Sequence, residues 1–100
     1  MKSLLIAGLA VAGLMLGGAA NAAVDAKAAE AKATEAGCLK CHAVDKKKMG
    51  PALKDVAAKN KGNAGYVDAA VGKLKSGTGH PKSAASDADL KLIMDWVMTL

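Results

Sequence analysis

The sequence predicts an all-α domain of about four helices. Three observations predict it. Apolar residues recur at helical spacing in separated segments, no run alternates in the manner of a strand, and Gly and Pro cut the chain into helix-length pieces. Residues 24–36, VDAKAAEAKATEA, have the Ala/Glu/Lys composition of a strong helix former, with Asp25 near the start and Gly37 as the stop. After CLKCH, the run DKKKMG reads as a loop ending at Gly50-Pro51. Pro51 fits the first turn of a second helix, PALKDVAAKN, with Leu53, Val56 and Ala57 on one face and Gly62 closing it. A third helix is expected over about Ala64–Lys75, where Tyr66, Ala70, Val71 and Leu74 share a face. SGTGHPKSAAS, with two glycines and a proline, is a loop. The last helix has the clearest start. Ser86 is an N-cap with Asp89 three residues on in a capping-box-like position, and Leu90, Ile93, Met94, Val97 and Leu100 form its apolar stripe.

The first 22 residues stand apart from this domain. MKSLLIAGLAVAGLMLGGAANA has a charged Lys2, an apolar run from Leu4 to about Leu16, and Ala20-Asn21-Ala22 in the pattern of a signal-peptidase site. The expectation is a signal peptide over 1–22, cleaved after Ala22, and a periplasmic domain over 23–100. The run is short for a membrane span, so an uncleaved anchor is the weaker alternative. Losing Lys2 leaves 13 lysines against 9 acids, a net +4, in a chain without Arg. Nucleic-acid reading draws on Arg forks and stacking aromatics, and both are scarce here. One Trp, one Tyr and no Phe leave little to fill a core, so a domain this small needs a staple.

Cys38, Cys41 and His42 supply it. C-x-x-C-H is the attachment signature of c-type heme. Two thiols one helical turn apart reach the two vinyl groups, and the following imidazole is aimed at the iron. Its Nε2 coordinates, and Nδ1–H then needs an acceptor that fixes the ring. A redox disulfide would want a βαβ context, and a zinc site would want four ligands at other spacings. Neither fits as well as one covalent heme c.

The sequence resembles the small monoheme class I c-type cytochromes of bacteria. CLKCHAVDKKKMGPALKDVAAKNKG is similar to their heme-binding half, and Trp96 stands near the end of the last helix as in that family. The resemblance implies a cytochrome c-type fold around one heme, with His42 as proximal iron ligand and the Pro51 carbonyl accepting from it. The family's usual sixth ligand is a Met in a stretch reading MPPNAVSDxE. Here HPKSAASDAD stands at that place, so the alignment puts His80 on the ligand position, a departure from the commoner pattern. Met15 lies in the leader, Met49 follows His42 by only seven residues, Met94 belongs to the apolar stripe, and Met98 reads as edge packing.

The resemblance implies a one-electron carrier rather than an enzyme, serving redox partner proteins. A His80 ligand implies a lowered potential, because imidazole favours Fe(III) where Met sulfur favours Fe(II). The Lys46-Lys47-Lys48 run offers attraction to acidic docking surfaces, although a solvated loop face is the plainer reading. The alternative function is a heme-based gas-binding or sensor protein in which His80 dissociates.

Overall fold

The computed structural model describes residues 24–100; the segment read as a signal peptide lies outside them. Among the described residues there are five helices and no strand: α1 (Ala26–Glu35), α2 (Cys38–Cys41), α3 (Leu53–Asn60), α4 (Tyr66–Ser76) and α5 (Asp87–Val97). Four are the expected helices. The fifth, α2, is a single turn that holds the cysteine pair.

Helix α1 begins where Asp25 Oδ1 accepts the Ala28 N–H at 3.0 Å, which satisfies one of the donors a helix start leaves open. It ends at Gly37, whose φ of +83° turns the chain into α2 at a conformation costly for other residues. Ala29 and Ala33 are fully buried. Four residues apart, they lie on one face and carry nothing beyond Cβ, so α5 can approach the α1 backbone closely. Helix α5 is the hub and packs on α1, α3 and α4. Its stripe of Leu90, Ile93, Met94 and Val97, together with Trp96, is buried. Leu100 lies beyond the helix end, half-buried against the same cluster.

Two helix starts differ from the sequence reading, one in its position and one in a side-chain contact. Pro51 precedes α3 instead of occupying its first turn, because its carbonyl is turned to another partner described below. Ala52 takes the cap position in extended geometry. The first N–H groups of α3 bond across the chain: Leu53 to the Ala43 carbonyl at 2.9 Å and Lys54 to the Val44 carbonyl at 3.0 Å. At α5, Ser86 Oγ accepts the Asp89 N–H at 3.1 Å. The capping box is only half made, since the Asp89 carboxylate instead lies 3.7 Å from Lys32 Nζ and ties α5 to α1.

Candidate heme site

The elements form an apolar cavity of about 330 Å³, partly open to solvent, between α5, α4 and the segment around His42. Cys38, His42, Pro51 and His80 all line it. Cys41 is outside the lining, with its Sγ 3.9 Å from Met49 Sδ. Both thiols are free and half-buried, separated by one turn of α2. Burial pushes the Cys38 thiol above its usual value, with a smaller opposing effect from a backbone hydrogen bond.

His42 is fixed from two directions. Its Nδ1 lies 2.7 Å from the Pro51 carbonyl oxygen. A carbonyl only accepts, so Nδ1 must carry the proton, and the Nε2 lone pair is left for a metal. Gly50 lies against the ring: a Cβ placed there would fall 2.8 Å from Nδ1 and 2.9 Å from Nε2, closer than atoms pack. The loop from His42 to Pro51 is held in turn. The Gly50 N–H donates to the Cys41 carbonyl at 2.7 Å, and Lys48 N–H to the Gly50 carbonyl at 3.0 Å. Lys48 Nζ donates to the Leu39 carbonyl at 3.1 Å, so one of the three lysines serves the loop itself, while Lys46 and Lys47 are exposed.

His80 stands in the connection between α4 and α5. Its side chain is exposed, and its ring is parallel to that of His42, with an interplanar angle of 1° and centroids 6.1 Å apart. Its Nδ1 lies 2.8 Å from the Pro81 carbonyl oxygen. The loop is closed at its base by the Ser83 N–H donating to the Leu74 carbonyl at 2.7 Å and by an ion pair between Lys75 and Asp87. The structure thus brings together both histidines, although 38 residues separate them in the chain.

The methionines sort as follows. Met94 is buried in the core and lines the cavity, Met98 is half-buried, and Met49 is 84% exposed. Sequence reasoning passed over Gly50 as a steric partner of His42. It also passed over Lys73, which brings the one fixed charge to the cavity lining. Helical spacing on α4 held the signal for Lys73, since it follows Tyr66, Ala69 and Ala70 around the cavity face.

The donor set fits a covalent heme: two free thiols on one turn, an imidazole with its Nε2 available, and an apolar cavity beside them. Comparison with known proteins agrees. The chain is 40% identical over 70 residues to cytochrome c-551 of Azotobacter vinelandii, an alignment covering 63% of this chain and 85% of that protein. It belongs to the class I c-type cytochromes. The cytochrome is also 39% identical over 71 residues to cytochrome c-552 of Nitrosomonas europaea, covering 63% of this chain and 69% of the relative. Among solved structures it is similar to the class 1 cytochrome MtoD from Sideroxydans lithotrophicus ES-1, with a TM-score of 0.66 and 34% identity over 77% of this chain and 97% of that one. It is likewise similar to the Nitrosomonas europaea cytochrome c552 structure, with a TM-score of 0.61 and 35% identity over 71% and 98% of the two chains. No family model matches the chain. As a member of this family it carries one covalently attached heme c with iron, and its fold is the cytochrome c fold.

Proposed function

We propose that this cytochrome is a periplasmic one-electron carrier whose iron is held between His42 and His80, with a potential lowered by the second imidazole. The observation that carries the reading is the pair of parallel rings 6.1 Å apart on one cavity. Two imidazoles holding one metal between them, each through a nitrogen about 2.0 Å from it, would put their centroids about 6 Å apart. Both Nδ1 atoms face carbonyl oxygens, so both Nε2 lone pairs are free to bind.

Heme c supplies a one-electron Fe(III)/Fe(II) couple. The chain supplies the rest. Cys38 and Cys41 hold the group covalently, and the Pro51 carbonyl and Gly50 orient His42. Leu90, Ile93, Met94 and Val97 keep water from the inner side of the cavity. That apolar wall and two imidazole donors both bear on the potential, which axial ligation alone moves over roughly 0.8 V among heme proteins. The test is the spectrum of the oxidised protein together with a redox titration. A low-spin spectrum without a sulfur-to-iron charge-transfer band, and a midpoint well below His/Met carriers, is the expected outcome. A sulfur band or a midpoint in the His/Met range overturns the ligand assignment.

The N-terminal pattern of residues 1–22 supports export, checked by the mature N-terminus of the secreted protein. Lys46 and Lys47, exposed beside the motif, support attraction to an acidic redox partner. Electron-transfer rates that fall as salt rises are expected; rates indifferent to salt remove the steering role. A carrier is favoured over a gas sensor because the family is one of electron carriers. Accordingly the reduced protein should show no rapid spectral shift under CO.

A further inference from the structure

The proximal histidine owes its tautomer to a proline carbonyl, and the same device occurs a second time. His42 Nδ1 meets the Pro51 carbonyl at 2.7 Å, and His80 Nδ1 meets the Pro81 carbonyl at 2.8 Å. The two contacts are built differently. Pro51 is nine residues from its histidine and is placed by the loop, while Pro81 is the next residue after His80. Chain distance decides how much the rest of the molecule must do. The first contact depends on Gly50 and on the bonds that anchor the loop. The second needs only the local backbone at Pro81, whose ring fixes φ and so narrows the directions its own carbonyl takes.

We propose that the Pro81 carbonyl is the positioning group of His80: it holds Nδ1–H, aims Nε2 into the cavity, and sets the ring plane parallel to that of His42. This rests on the two-histidine reading above. Three observations carry it. The interplanar angle is 1°, which an unrestrained exposed imidazole has no reason to adopt. The acceptor is a carbonyl, which excludes the tautomer with Nδ1 as the donor atom to iron. The loop base is closed by Ser83, Leu74, Lys75 and Asp87, so the backbone on which the contact sits is itself held. A second-shell acceptor also makes the imidazole a stronger donor to iron, so the bond acts on the potential as well as on geometry.

The test uses the holoprotein and an α-hydroxy acid at position 82. That turns the Pro81–Lys82 amide into an ester and leaves a poorer carbonyl acceptor. Among the described residues the Lys82 N–H makes no hydrogen bond, so none is lost with it. Unmodified oxidised protein is expected to give the rhombic low-spin electron paramagnetic resonance spectrum of parallel imidazole planes. The ester is expected to stay low-spin, to shift its midpoint potential upward, and to broaden or shift that spectrum as the His80 plane is released. Pro81→Ala, which keeps an amide carbonyl, is expected to change both readouts less than the ester does. An ester with the potential and spectrum of the unmodified protein overturns the proposal. So does a Pro81→Ala change as large as the ester's, since the ring rather than the carbonyl would then position His80. A sulfur-to-iron band or a high-spin spectrum in the unmodified protein overturns the two-histidine reading itself, and the proposal falls with it.

Discussion

The two histidine segments end in nearly the same local chemistry and reach it from opposite directions. Around His42 the chain is densely tied: a covalent attachment motif on α2, a glycine against the ring, a loop anchored by backbone bonds, and α3 starting on carbonyls from residues 43 and 44. Around His80 the chain is exposed, and its ties are a neighbouring carbonyl, one backbone bond to α4 and one surface ion pair. The first region fixes its imidazole through a distant carbonyl and a glycine packed on the ring. The second holds its imidazole in register without enclosing it. Equal ring geometry therefore does not mean equal strength of attachment.

The largest expected effect separates the two outright. His42→Ala should abolish a stable low-spin holoprotein. His80→Ala should keep the covalent heme but leave the iron open to added imidazole or CO, read by absorption spectra. Equal loss in both would erase the distinction. His80→Met should raise the midpoint potential by on the order of 0.1–0.3 V, within the roughly 0.8 V over which axial ligands act. An unchanged potential would mean that residue 80 is not the ligand.

Smaller effects probe the ties. Gly50→Ala forces a Cβ against the His42 ring and should cost about 1–3 kcal/mol in denaturant unfolding, with the spectrum disturbed on the His42 side. Asp87→Asn removes an exposed pair and should cost less than about 1 kcal/mol of global stability, while loosening the His80 loop enough to register in ligand-competition experiments. The smallest effect lies at the cavity edge. Burial raises the Tyr66 phenol above its ordinary value, so the folded chain keeps that proton to higher pH than the unfolded chain. Its contribution is complete below the ordinary phenol range, near pH 10, and is lost as pH rises through it. Tyr66→Phe should flatten that alkaline decline in a pH series of unfolding midpoints.

How much of this was legible in the sequence depended on whether the controlling interaction was local. Asp25 and Ser86 cap the helices they precede, and Gly37 and Gly77 end theirs with positive φ, because caps act within one turn. The C-x-x-C-H chemistry sits in five consecutive residues. The start of α3 was misread because a tertiary partner decides it: Pro51 looked like a first-turn residue, but its carbonyl goes to His42. Asp89 looked like half of a capping box, but Lys32 on α1 draws its carboxylate. The position of His80 came from alignment with a family pattern. Its parallel ring and its proline acceptor have no sequence signature, since neither follows a helical or strand period.

The ion pair at the base of the His80 loop has one more consequence. Lys75 lies in the last turn of α4 and Asp87 in the first turn of α5, so each charge also complements its own helix dipole. Electrolyte weakens such an exposed pair and screens the exposed Lys46 and Lys47 at the same concentrations. Salt would therefore reach this cytochrome by two routes, one through Lys46 and Lys47 and one through the loop that carries His80. A kinetic salt series would fold both into a single slope unless each point also carried a spectrum of the heme.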